Sequence, residues 1–383
     1  MNNALVKQWR RIIKLVKVRK LLITGSVLLA TLVLASCGKS SSKGNYTTTG
    51  SSSGTYQGVI KGGRYRTSKA RGVNTSQNNN QYNLKSFENG LTEVSKRVFS
   101  TKNYIFQEGQ YLSSDTIESW LGRKSSSNPN GLNPKQGKKS NPNPEYVQQI
   151  EEQDYMTESG NSLKLKGMTI GIGINSEYRY QKKTDGPYYT KKISDAEVEQ
   201  QGKIAAAKIL KRLRQRKALE NIPIVIALYK QAPDDSLVGG TFFAYSNNKG
   251  KTVSSWTKLN YRNAVLPKAS AETSENSGNS TDNDSFSNFK SQVQNFFPNL
   301  SGVTAQAQYH NGNLSGMHIT ITTQFYSQSE ITSFTQYIAR AAKRYLPHGI
   351  PIDIKIQSDS EMQSVVYRNS GSDNFQSHVF NSY

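Results

Sequence analysis

Apolar residues recur along this chain with two spacings, and the spacings predict where helices and strands lie. Phe87, Leu91, Val94 and Val98 follow steps of 4, 3 and 4, one face of an amphipathic helix, and Phe286, Phe289, Val293 and Phe296 stay on one face in the same way. Met168 to Ile174 alternates apolar residues with Thr or Gly, as a half-buried strand does. It runs on through Tyr178-Arg179-Tyr180 to the turn Thr184-Asp185-Gly186-Pro187, after which Tyr188 to Ile193 returns as the second arm of a hairpin. Pro144 stands where proline opens a helix, which predicts a helix through Val147 and Ile150.

A duplication sets the fold class. Lys166-Gly-Met-Thr-Ile-Gly-Ile-Gly-Ile174 is echoed by Ser315-Gly-Met-His-Ile-Thr-Ile-Thr-Thr323. Each copy is followed by a capping box, Ser194 with Glu197 and Ser327 with Glu330, in which the hydroxyl accepts from a free helix N–H and the carboxylate reaches back. The helices predicted there carry Val198, Ala205, Ile209 and Leu213 in one copy and Ile331, Phe334, Ile338, Ala341 and Tyr345 in the other, with cations in the last turn of each. Both copies return as a strand behind an Ile-Pro-Ile tripeptide, residues 222–224 and 350–352. The expectation is an α+β fold of two related strand-helix-strand units, each a mostly antiparallel sheet with helices packed on one face. Both matches are short, and chance similarity between apolar strands is the competing reading.

The amino terminus has a different character. Seven basic residues and no acid fall in the first 36 positions, and Leu21 to Ala35 is an apolar run of fifteen, short for a membrane span and the right length for a signal peptide. It ends in Leu34-Ala35-Ser36-Cys37, the pattern of a bacterial lipobox: small residues before the cut, then a thiol that can carry a diacylglyceryl thioether. Cys37 is the only cysteine in the chain. Cleavage between Ser36 and Cys37 would leave a mature protein held by lipid at the extracellular face of the cell membrane, its partners there being the membrane and the lipoprotein-processing enzymes. A signal anchor with a chance cysteine is the alternative.

Composition then divides the rest. Residues 37–81, rich in Gly, Ser and Thr, read as a disordered lipid-anchored tether, 82–266 as the first α+β subdomain, 267–285 as a linker and 286–383 as the second subdomain. Lys124 to Pro144 reads as a surface insertion. The chain has 49 Lys plus Arg against 27 Asp plus Glu, so removal of the leader leaves a body of +15. That charge suits an anionic wall polymer, and export argues against nucleic acid.

Candidate chemistry is sparse. One cysteine and four scattered histidines, His310, His318, His348 and His378, supply no metal-ligand set and no cofactor motif. The acids Glu151, Glu152, Asp154, Asp234 and Asp235 are adjacent in sequence, and on a helix or loop they would point apart, so no catalytic residue is assigned. Gly171 and Gly173 predict a close approach of a helix or ligand to the sheet. The mixture of Tyr178, Arg179, Tyr180, Lys182, Tyr188 and Tyr189 suits either a structural hairpin or contact with an anionic glycan.

The leader and lipobox, Gly131-Leu-Asn-Pro134, the block from Lys166 to Lys203, Asn221 to Gln231 and Thr335 to Tyr345 together resemble the CamS-type sex pheromone precursor lipoproteins of low-GC Gram-positive bacteria. The resemblance covers most of the chain beyond Tyr82. It implies that the end of the leader, Leu29-Ala30-Thr31-Leu32-Val33-Leu34-Ala35-Ser36, is released as a hydrophobic peptide that induces conjugation. The body is then a non-catalytic binding module, a receptor or scaffold for anionic envelope polymers, or an envelope enzyme.

Overall fold

The computed structural model describes residues 46–50, 54–74, 80–268, 280–296 and 302–381. The first described strands, β1 (Tyr46–Thr48), β2 (Val59–Lys61) and β3 (Arg64–Tyr65), form a small antiparallel sheet. The tether expectation fails for this part. Val59 and Tyr46 are buried, Gly58 bridges to Phe106, and the Tyr56 ring lies 5.2 Å from that of Tyr155. A Gly/Ser/Thr composition conceals these few apolar anchors.

The first large unit comprises α1 (Gln81–Lys96), β4 (Ile105–Glu108), α2 (Ser114–Leu121), the short hairpin β5 (Gly137–Lys138) and β6 (Asn141–Pro142), then β7 (Val147–Ser159) and β8 (Ser162–Ile174). A two-stranded ribbon, β9 (Glu177–Gln181) and β10 (Tyr188–Lys192), precedes α3 (Asp195–Leu213), β11 (Ile224–Lys230), β12 (Thr241–Asn248) and β13 (Thr257–Lys258). The six-stranded sheet has the order β13-β12-β11-β8-β7-β4 and is antiparallel except where β8 meets β11. The second unit comprises β14 (Tyr261–Leu266), α4 (Ser280–Phe296), β15 (Gly302–His310), β16 (Asn313–Thr322), α5 (Gln328–Tyr345), β17 (Ile352–Gln357), β18 (Met362–Arg368) and β19 (Gln376–Val379). Its sheet runs in chain order, with β16 and β17 its one parallel pair. The boundary between units therefore falls before Tyr261, not after Leu266, and α4 begins at Ser280, within the expected linker. β14 joins the second sheet because its whole length pairs with β15, Tyr261 opposite His310 and Leu266 opposite Ala305.

The duplication is visible in the hydrogen bonding. Met168 pairs with Ile224 and Met317 with Ile352, so the Gly-Met and Ile-Pro-Ile signatures face each other in both units. Each proline sits just outside its strand, where no ladder N–H is needed, and its carbonyl accepts the methionine N–H at 3.1 Å in both copies. The hydroxyls cap as predicted: Ser194 and Ser327 accept from the N–H of Glu197 and Glu330, each at 3.3 Å. The carboxylates do something else. Glu197 accepts from the Tyr146 hydroxyl, and Glu330 from the Tyr326 N–H, one residue ahead of the cap.

The two sheets differ in how they are covered, and the repeated strand encodes the difference. In the second unit α4 and α5 pack on one face, over Ile319, Ile321, Ile354 and Ile356, as expected. In the first unit α3 covers Ile170, Ile172, Ile224 and Ile226, while α1 packs Phe87, Leu91 and Val94 onto the opposite face. A Cβ at Gly171 would fall 2.6 Å from the Phe87 ring. The counterpart of Gly171 in β16 is Thr320, which is partly exposed because no helix lies over it.

The predicted helix after Pro144 is a strand. A bulge between Val147 and Gln149 inserts one residue into β7. Val147 and Ile150, three apart, then reach the same core, a spacing that imitates helical period. The Lys124–Pro144 segment lies at the surface but is held from within by Asn133, whose amide donates to the carbonyls of Leu121 and Val147 and accepts from the N–H of Tyr146 and Val147.

Candidate functional site

The units meet at a cleft of about 820 Å³. One wall is the turn after β11, residues 231–240, which α1 fixes in place. The Asn83 amide donates to the Ala232 carbonyl at 2.9 Å and accepts from the N–H of Ala232 and Gly240, also at 2.9 Å. Asn80, the N-cap of α1, donates to the carbonyls of Pro233 and Ser236. Backbone crowding makes glycine necessary here: a Cβ on Gly240 would fall 1.8 Å from the Lys230 carbonyl, and one on Gly239 2.0 Å from the Ser86 hydroxyl. The second unit grips the same turn, Asn263 donating to the carbonyls of Gly239 and Gly240 at 3.0 Å and Gln306 to that of Leu237 at 2.6 Å.

Polar and cationic groups line the cleft. Gln231 is 4% exposed; its amide nitrogen donates to Gln149 at 3.3 Å, and its Oε1 has no hydrogen-bond partner among the described residues. The buried Ser176 hydroxyl is likewise unsatisfied. Lys230 is neutralised by Asp195, Arg262 lies 4.2 Å over the Tyr309 ring, and Lys192 projects from the ribbon.

The ribbon separates its aromatic residues by face. Tyr178, Tyr180 and Tyr189 share one side, with ring centroids 6.1 and 5.8 Å apart, and Arg123 and Lys182 lie over the outer rings. Arg179 lies 4.8 Å over Tyr188 on the other side, with Glu177 and Lys192. The tyrosines do not simply pack inward: Tyr188 is 64% exposed and Tyr189 38%. Alternation identified the faces, but nothing lies beneath the ribbon tip to bury them.

The acids are arranged otherwise than expected. Glu151, Glu152 and Asp154 lie on β7, so Glu152 and Asp154, two apart, share a face and Glu151 is on the other, whereas Asp234 and Asp235 lie in the turn after β11. Glu152 accepts the N–H of Gln110 and Tyr111 on one oxygen, at 3.0 and 2.9 Å, and of Leu112 on the second at 2.6 Å. Burial and the Glu152 charge push the Asp154 carboxyl well above the usual carboxylate range. Both residues are buried, and the pair secures the loop leading into α2. Glu151 is raised to about 8 by burial and by the neighbouring Glu88 carboxylate. A smaller cavity, about 380 Å³, opens beside Glu88, Glu108 and Glu151.

The remaining candidates stay apart. Asp234 lies 4.0 Å from Arg179, His348 3.2 Å from Asp373, His310 stacks on Tyr261, His378 abuts Phe380, and His318 is on the open face of the second sheet. Among the described residues there is no cluster of metal-ligating side chains. Gly171 and Gly173 face Phe87 and Gln231, so a helix side chain fills the approach they permit. The leader, the lipobox Leu34-Ala35-Ser36-Cys37 and the peptide Leu29 to Ser36 lie outside the described residues. Among the described residues no helix is long and apolar enough to cross a membrane. The missed feature was the cleft, whose signal was the Gly239-Gly240 pair beside Pro233.

A family model described as CamS sex pheromone cAM373 precursor matches residues 65–374. A sex pheromone precursor from Lactobacillus salivarius subsp. salivarius UCC118 is 55% identical, with a TM-score of 0.84 over 88% of this chain and 100% of that one. The C-terminal domain of the sex pheromone staph-cAM373 precursor from Staphylococcus aureus is 29% identical, with a TM-score of 0.67 over 80% of this chain and 99% of that one. No curated protein matches the chain.

Proposed function

The chain belongs to the CamS sex pheromone cAM373 precursor family, and from that premise we propose that it is an exported surface lipoprotein with two separable products. Lipoprotein-processing enzymes acylate Cys37 and cut before it. The diacylglyceryl group anchors the mature chain, and the leader yields Leu29 to Ser36 as a hydrophobic conjugation-inducing peptide. One observation carries this reading: the sole cysteine falls where a fifteen-residue apolar run ends in Leu-Ala-Ser, ahead of a body that matches the precursor family. Two acyl chains suffice for stable attachment, since each buried methylene contributes about 0.8 kcal/mol. Synthetic Leu29–Ser36 applied to plasmid-bearing donor cells should raise conjugation frequency in a dose-dependent way. A flat response at every concentration would remove the signalling role.

The body acts as a non-catalytic binding module. The acid pair most suited to proton transfer is buried and engaged with backbone N–H groups, and the histidines are scattered, which favours recognition over catalysis. The ribbon favours a more specific reading, a receptor for anionic envelope polymers. Exposed tyrosines beside Arg179, Lys182, Lys183, Lys191 and Lys192 combine stacking surface with positive charge.

A further inference from the structure

Resting on the lipoprotein reading, with Cys37 acylated, we propose that one end of the first unit is a docking face for the anionic headgroups of the membrane that holds the anchor. Topology defines that end. β7 and β12 finish there and β4, β8 and β11 set out from it, with Ile105 paired to Met156 and Ile224 to both Met168 and Asn248. α1 leads down to it from the cleft wall, where Asn83 holds the turn, to Phe99 beside Gly167. α3 joins the far end of β8 to the near end of β11.

The segments gathered there, residues 97–104, 158–166, 214–223 and 248–256, carry Lys102, Lys164, Lys166, Lys217, Lys249 and Lys251. All of these are exposed, and none is in an ion pair among the described residues. The arginines of the same segments are engaged internally, Arg97 donating to the Tyr261 hydroxyl and Arg214 and Arg216 to backbone carbonyls. The acids in these segments are Glu158 and Glu220, and Glu158 already accepts from the Tyr46 hydroxyl at 3.1 Å.

That last contact shows where the chain enters. Tyr46, the first described residue, reaches the β7–β8 turn, so the stretch from Cys37 arrives at the cationic end. Residues 38–45 span at most about 32 Å even fully extended, and they add Lys39 and Lys43 and no acid. β8 has 13 residues, about 43 Å of strand, and the ribbon follows its far end. Headgroup charge acts over a Debye length, about 8 Å at physiological ionic strength, and a short tether at the cationic end brings these lysines into that range ahead of the ribbon's. Docked in this way, the protein holds the ribbon and the cleft out from the bilayer, toward the wall.

The test labels lysines with a membrane-impermeant amine reagent and reads each site by peptide mass spectrometry, on acylated mature protein added to preformed vesicles. On equal parts of phosphatidylglycerol and phosphatidylcholine, Lys102, Lys164 and Lys249 should react about tenfold more slowly than on phosphatidylcholine alone, while Lys182 and Lys183 on the ribbon react alike on both. Salt at about 1 M, which shortens the Debye length to about 3 Å, should abolish the protection. Lys164→Glu, Lys166→Glu, Lys249→Glu and Lys251→Glu combined should keep the wild-type Tm, since all four side chains are exposed, and lose the protection at Lys102. Lys182→Glu with Lys183→Glu should leave it in place. Equal rates at Lys102 on the two kinds of vesicle, or slowing at the ribbon instead, would overturn the proposal with the anchor intact. Protection of the same lysines by soluble polyglycerol phosphate on neutral vesicles, without protection by phosphatidylglycerol, would assign the face to wall polymer and overturn it as well. The mass of the amino-terminal peptide separates these failures from that of the lipoprotein reading, because an unmodified Cys37 would overturn both.

Discussion

Asn83 is the side chain on which the cleft wall depends, and its removal has a calculable cost. The amide makes three bonds of 2.9 Å to the turn, one as donor to Ala232 and two as acceptor from Ala232 and Gly240, and a longer contact of 3.3 Å from the Tyr229 hydroxyl. Asn83 is 1% exposed, so in Asn83→Ala water has little access to the groups left behind. At about 1 kcal/mol for each short bond, with the partners only part-buried, the loss is about 3 kcal/mol. For a cooperative unit of roughly 200 residues that lowers the Tm by about 6–12 °C. Thermal melting measures the loss, and hydrogen exchange localises it, since the Ala232 and Gly240 amides should exchange at least tenfold faster. A loss below about 1 kcal/mol, with exchange at those amides unchanged, would refute the claim that α1 fixes the wall.

Two further perturbations test other parts of the structure. The Glu151 carboxyl, raised to about 8, favours its protonated form, so the folded state holds a proton that the unfolded chain releases near 4.5. That stability is present below about pH 4.5 and lost as pH rises through about 8; since the side chain is partly exposed, the loss should be about 2 kcal/mol in wild type and absent in Glu151→Gln. Parallel stability profiles of the two proteins would contradict it. Gly167→Ala places a Cβ 2.1 Å from the Phe99 ring, which is stacked at 4.5 Å on Tyr155 and cannot retreat, and should cost about 1–3 kcal/mol in urea unfolding. Gly316→Ala, at the matching position of the second unit, meets only Pro351 at 3.6 Å and should be within about 0.5 kcal/mol of neutral. Equal costs would mean that the two sheet faces are not differently covered.

Much of the fold was legible because it is written in local signals. The helices carrying Phe87, Ile209, Phe289 and Phe334 follow from a 3.6-residue period, and the two strand-helix-strand units from the repeated motif, while the parallel pairing of Met168 with Ile224 and of Met317 with Ile352 inside them was not foreseen. What escaped depends on partners distant in sequence. The bulge at Val147 shifts the side-chain phase and makes a strand resemble a helix. Nothing local reveals that Gly171 lies under Phe87, though Gly in one copy and Thr in the other was a usable sign that one sheet is covered twice. The cleft was invisible for the same reason. Gln231, Ser176 and Arg262 belong to three separate segments, and only the docking of β14 into the second sheet brings them to one cavity. The leader is the opposite case, where a contiguous run of residues carries the whole argument.

Mass spectrometry of the amino-terminal peptide of the protein extracted from its native membrane tests the central claim most directly. The account predicts a chain beginning at Cys37 with a diacylglyceryl thioether on that residue, and no trace of residues 1–36 attached. An unmodified Cys37 still joined to Ser36 would contradict it.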